Sequence, residues 1–135
     1  MKFNVRVLSE SDYENILVGW WRDWEWTPPV KDFLPLDGVG GLIVEWDGTP
    51  VCAGFIYNTN SKVAWIDWIV SNNNFREKPH RKDGLNLLIQ TLTDVARETK
   101  YKYVYAHNNN TNLINTFLAN GYLKGSKSTE LIKNL

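Results

Sequence analysis

Six consecutive residues, Arg81, Lys82, Asp83, Gly84, Leu85 and Asn86, are of the types that hold phosphate. Arg76, Lys78 and His80 add cationic capacity just upstream. A helix starting here leaves its first amides without intrahelical partners, beside the positive end of its dipole. Asp83 is placed to cap that start, and a glycine lets an anion come close to the backbone. The same pattern also opens many ordinary helices. Three other residues have the chemistry to move a proton. Asp67 is flanked by Trp65 and Trp68, so desolvation would raise its pKa. Glu45 lies between Val44 and Trp46, and His107, a residue type suited to proton transfer, ends a strand-like run. Each has a plainer reading: a solvent-facing strand residue, the polar face of a hairpin, and a surface or structural histidine. No metal site is expected, because the two histidines are far apart and Cys52 stands alone.

The element that must position the basic turn is legible downstream of it. Leu85, Leu88, Ile89, Leu92, Val95 and Ala96 recur at helical spacing, with Gln90, Asp94, Arg97 and Glu98 largely opposite. Upstream, residues 3–8 alternate in period two and predict a strand. Ser9, Glu10, Ser11 and Asp12 supply capping residues for a helix whose face is Tyr13, Ile16, Leu17 and Trp20. Trp20, Trp21, Trp24 and Trp26 crowd together before Pro28 and Pro29 stop the helix. These indoles either pack the helix onto a sheet, cover a substrate pocket, or form a partner surface.

Residues 41–46 and 51–57 flank an Asp47-Gly48 turn and read as a hairpin. Residues 63–70 continue it into an antiparallel meander. An irregular polar stretch, residues 71–82, leads to the central helix. A short strand over 101–106 follows, then a helix over 111–120 carrying Leu113, Ile114, Phe117 and Leu118, with Gly121 as its C-cap. Residues 122–123 and 129–135 are expected to form a last pair of strands.

The chain of 135 residues reads as a single domain, 1–135, able to bury about 68% of its unfolded surface. Its 15 basic and 15 acidic residues cancel, which gives bulk attraction to nucleic acid or an anionic membrane no support. An aromatic share of 13% points to an aromatic core or an aromatic-lined pocket. Cys52, between Val51 and Ala53, reads as a buried small hydrophobe. No apolar signal core or membrane-length run is found, so a cytoplasmic setting is the expectation.

The order of elements and two motifs resemble the GCN5-related N-acetyltransferase (GNAT) superfamily over nearly all of the chain. Arg81-x-x-Gly84-x-Asn86 is similar to the family's Arg/Gln-x-x-Gly-x-Gly/Ala. Asn110-x-x-Leu113-Ile114-x-x-Phe117-x-x-x-Gly121-Tyr122 is similar to its Asn-x-x-Ala-x-x-x-Tyr-x-x-x-Gly-Phe. The resemblance implies an α/β acyl-CoA N-acyltransferase fold, with a mixed, mostly antiparallel sheet flanked by helices. It implies acetyl-CoA as acyl donor, lying where strands four and five splay apart. The pyrophosphate would rest on residues 81–86, the pantetheine arm on the edge formed by Ile69, Val70 and Ser71, and Asn110 would face the cofactor. The acceptor would be the amine of a small molecule or peptide, and a homodimer is compatible with the family. The candidate bases are Asp67, His107 and Glu45, and the tryptophans of the first helix are expected beside the acyl end.

Departures from the family pattern leave an alternative open. Asn86 replaces a smaller residue in the phosphate turn, and Asp83 brings negative charge to it. Phe117 stands where many members place the tyrosine that protonates the leaving thiolate. A positioned proton donor contributes roughly 10²–10⁴ in rate. The alternative is therefore a degenerate member that binds CoA or a protein partner without turnover.

Overall fold

Alternating apolar side chains in the first half of the chain build a sheet with two buried faces. In a computed structural model, described over residues 2–135, strands β1 (Phe3–Val7), β2 (Gly41–Trp46), β3 (Thr49–Tyr57), β4 (Val63–Ser71) and β5 (Tyr103–Ala106) lie side by side in sequence order. The first four are antiparallel, and β5 runs parallel to β4 with Val63 opposite Tyr103 and Ile66 opposite Ala106. After Leu8 and Ser9, helical residues α1 (Glu10–Asp12), a π-helical stretch (Tyr13–Leu17) and α2 (Val18–Asp23) follow one another without a break. The long helix α3 (His80–Glu98) crosses between β4 and β5, and α4 (Thr111–Ala119) follows β5.

Consecutive residues of a strand serve opposite faces. Val44 packs with Val51, Ile66, Leu88, Leu92, Leu113 and Phe117 beneath α3 and α4. Its neighbour Ile43 packs with Leu8, Leu17, Trp20, Trp21, Phe55 and Val70 beneath α1 and α2. Cys52 is fully buried, as its sequence context indicates. At the first helix, the Asp12 carboxylate accepts from the Ser9 amide (2.7 Å) and hydroxyl (3.0 Å), completing the capping box.

Two expectations are corrected. Helix α3 starts at His80 with Pro79 in the capping position, so Asp83 is not the cap. The Arg81 amide donates to the Glu77 carbonyl (2.9 Å) and the Asp83 amide to that of Pro79 (3.0 Å). Residues 81–86 are therefore helical rather than a free loop. The second correction is the tail. Residues 122–135 form no strand, and the sheet ends at β5. Leu123 and Leu131 are 93% and 88% exposed, so the tail's alternation has no buried face to anchor its register.

Gly84 is required by packing. A Cβ there would lie 3.0 Å from Val51 Cγ1 and 3.4 Å from Phe3 Cε1, so the missing side chain lets α3 settle onto β2 and β3. Gly84→Val should cost ~1–3 kcal/mol by overpacking, read by urea denaturation without any ligand. A second prediction concerns acid. Arg6 binds the Asp12 carboxylate through both terminal nitrogens, at 2.7 and 3.0 Å, and this lowers the Asp12 pKa to about 2. The unfolded value is near 3.9, so the stabilisation is complete above about pH 5 and is lost as pH falls through 2. It is on the order of 2 kcal/mol. In Asp12→Asn the stability curve between pH 5 and pH 2 should flatten by that amount.

Candidate functional site

The site is built on the middle of β4. Trp65 and Ile66 are paired on both sides, whereas beyond Ile66 the strand keeps β3 and loses β5. At that point Asp67 faces Phe55 and Val70 faces Ala53, so Trp68 and Ile69 together oppose Gly54. This is a β-bulge, and Trp68 takes φ +55° within it. The strain is stabilised locally, because the Asp67 carboxylate accepts from the Trp68 amide at 2.8 Å. Burial holds the Asp67 pKa above the ordinary carboxylate range, against the opposing effects of that amide and of His107.

On the α2 face, beside the bulge, lies a cleft of about 710 Å³. Tyr57, Trp65, Asp67 and Trp68 line it from the sheet, Asp32 and Phe33 from the loop after α2, and Glu130 and Ile132 from the tail. Tyr57 donates to the Phe33 carbonyl (2.9 Å), tying loop to strand; burial, with Asp67 nearby, pushes its pKa up to about 12. His107 is exposed and meets Trp65 edge-on at 4.7 Å, so the structure brings His107 and Asp67 to the same region. Glu45 is elsewhere. It accepts from Arg6 Nε (3.2 Å) and Asn4 Nδ2 (3.1 Å) across β1 and β2, within the ion pairs that include Asp12.

The opposite end of the exposed β4 edge is basic and aromatic. The Trp24 indole donates to the Ser71 carbonyl at 2.8 Å, and the Arg81 guanidinium lies 5.6 Å from the Trp24 ring. Arg81 is half-buried; burial, and then the charge of Arg76, lowers its pKa. Neither arginine has a carboxylate partner among the described residues. In the first turn of α3, the His80 and Lys82 amides have no backbone partner among the described residues. Lys82 and Asp83 side chains are exposed, and Leu85 packs on the core. Ile69 leans toward Gly54 and Val70 is buried under α2. Asn86 accepts from the Asn120 amide (3.0 Å), which links α3 to α4, and Asn110 caps α4 by accepting from the Leu113 amide (3.0 Å).

The tryptophan-rich segment divides. Trp20 and Trp21 are core, with Trp21 edge-on to Trp68 at 6.2 Å. Trp24 and the exposed Trp26 stack at the end of β4, 5.9 Å apart. Sequence spacing missed Tyr57, Phe33 and Asp32. Tyr57 becomes visible only through register, which sets it opposite Trp65.

Comparison with solved structures identifies the architecture. A glucosamine-6-phosphate N-acetyltransferase from Arabidopsis thaliana matches 98% of this chain over its whole length, with a TM-score of 0.66 at 14% identity. N-acetylglutamate synthase from Neisseria gonorrhoeae, solved with coenzyme A and L-arginine, matches 93% of this chain with 28% of its own, at 0.72 and 16%. A GNAT family acetyltransferase from Staphylococcus aureus matches over the full length of both chains, at 0.60 and 18%. This is the GNAT fold. In sequence, no protein-family model matches and no curated protein matches. Among the described residues, no helix is long and apolar enough to cross a membrane and no group of three or more His, Cys, Asp or Glu residues is placed to hold a metal.

On this GNAT scaffold neither Phe117 of α4 nor Tyr122 just beyond it offers a free hydroxyl. Phe117 is buried edge-on against Tyr122 at 4.9 Å, and Tyr122 shares a 2.5 Å hydrogen bond with Thr93. A hydroxyl introduced by Phe117→Tyr would lie in apolar packing rather than in a polar wedge. Phe117→Tyr should lower stability by ~1–3 kcal/mol, measured by denaturant unfolding, because a buried donor would lack a partner.

Proposed function

We propose that the chain is an acyl-CoA-dependent N-acyltransferase that moves an acetyl group from acetyl-CoA to an amine. The observation that carries this reading is the parting of β4 from β5 beyond Ile66, with two uncompensated arginines at the far end of the opening. A half-buried Arg81 and an exposed Arg76, neither with a carboxylate partner among the described residues, fit an anion, and the adjacent α3 start adds amides and a positive dipole. Arg81, Arg76 and the first turn of α3 would hold the pyrophosphate. Residues 67–71, unpaired on their β5 side, would meet the pantetheine arm. Gly84 has no part in that contact, since it faces the sheet. The Trp24 indole occupies the Ser71 carbonyl and would have to release it for an arm bound that far along the strand.

The bound thioester supplies an activated acetyl group. The chain's own task is to position an amine and remove its proton. Asp67 is the best placed acceptor, with a raised pKa, at the bulge and on the cleft wall. His107 is a neighbouring alternative across Trp65. Binding without turnover stays as the second reading for one reason. Phe117 has no hydroxyl, and that of Tyr122 is committed to Thr93, so neither protonates a departing thiolate.

Thermal unfolding with CoA tests the reading. At about a hundred times its dissociation constant CoA should stabilise the fold by ~2.7 kcal/mol, on the order of 10 °C in Tm. Arg81→Ala should weaken binding by roughly 1.5–3 kcal/mol through loss of a charge-assisted contact. Absence of any shift at millimolar CoA would remove the reading. A shift without release of free thiol from acetyl-CoA in the presence of amines would select binding without turnover.

A further inference from the structure

If the chain is an N-acyltransferase, its acceptor side carries information about the amine, and the identity of that amine rests on the transferase reading. The cleft beside the bulge has the volume of a small-molecule site, and Phe33, Tyr57, Trp65 and Trp68 give it aromatic walls beside Asn58 and Thr59. Phe33 meets Trp68 edge-on at 6.1 Å, Tyr57 is tied to the Phe33 carbonyl, and Trp65 is tilted against Tyr105 at 4.9 Å. Aromatic faces attract cations once water is excluded. Three carboxylates, Asp32, Asp67 and Glu130, join these rings from three different parts of the chain. None of them is in an ion pair among the described residues, and no lysine or arginine lines the cleft.

We infer that this aromatic cleft selects a small amine carrying a second positive charge, of the alkyl diamine class, and rejects amines bearing a carboxylate or phosphate. Asp67 stands where β4 leaves β5 and so serves the reacting nitrogen. Asp32 and Glu130, supplied by the loop and the tail, are left to face a distal ammonium. An anionic substituent would enter a site with three carboxylates and no compensating cation, and this repulsion provides the discrimination. Burial is the main cause of the raised Asp67 pKa, and the like charge of Glu130 on the same cleft adds to it.

Three probes of equal length separate the possibilities: 1,4-diaminobutane, butylamine and 4-aminobutanoate, differing only in the distal group. Initial rates of thiol release from acetyl-CoA should give the diamine a kcat/KM about tenfold above butylamine, the ratio that 1.4 kcal/mol produces. The amino acid should be the poorest. In Asp32→Asn and Glu130→Gln, shown to be folded by circular dichroism, the diamine-to-butylamine ratio should fall. A 4-aminobutanoate rate equal to or above that of butylamine overturns the inference. A second arm omits acetyl-CoA and follows tryptophan fluorescence of the unmodified protein as 1,4-diaminobutane is added. A saturable change that weakens in Asp32→Asn and Glu130→Gln supports the cleft even if none of the amines is acetylated; in that case the transferase reading fails alone. Absence of a saturable change overturns the inference, whatever CoA does in the melting experiment.

Discussion

The structure depends on one asymmetry of β4, which is paired with β3 from Trp65 to Ser71 around a bulge but with β5 only through Ile66. A strand interior to a sheet normally has its amides and carbonyls matched on both sides. Here residues 67–71 have no strand partner on the β5 side, although they lie within the fold. The chain meets this in two ways. The bulge turns Trp68 out of regular pairing, with the Asp67 carboxylate holding its amide, and the Trp24 indole takes the Ser71 carbonyl. Both are side-chain substitutes for a missing strand, and both are contacts that a ligand could compete for.

The parting also separates charge. The chain is neutral as a whole, yet the two ends of the exposed β4 edge differ in sign. Arg76 and Arg81 gather where β4 runs toward α3, while Asp32, Asp67 and Glu130 gather around the aromatic cleft. A donor rich in phosphate and a cationic acceptor would each be drawn to its own end, meeting at the bulge. Net charge alone therefore says little about ligands when opposite patches are sorted by the fold.

Residues that look chemical in sequence turn out to have different physical duties. Gly84 resembles a phosphate glycine, but its bare Cα lets α3 approach Val51 and Phe3. Glu45 resembles a buried base, but it completes an ion-pair network with Arg6. Asn110 and Asn86 each spend a side-chain oxygen on structure, one capping α4 and the other receiving the amide of Asn120. A motif specifies residue type and spacing, whereas the direction of a side chain depends on the helix phase and on the neighbour it meets.

The sequence by itself determined the order of elements from β1 through α4, the meander of β2 to β4 and the amphipathic face of α3. These follow from local periodicity, which survives without knowledge of any partner. It also pointed to Asp67 between its indoles and to the GNAT fold. Only the tertiary structure decided which amides at the start of α3 are free, because helix onset lies at His80 rather than beside Asp83. It alone decided that the tail stays unpaired and that Tyr57, Phe33 and Asp32 meet Asp67 in one cleft. Those outcomes rest on contacts between segments distant in the chain, set by strand register and loop path, and spacing along the sequence carries no record of either.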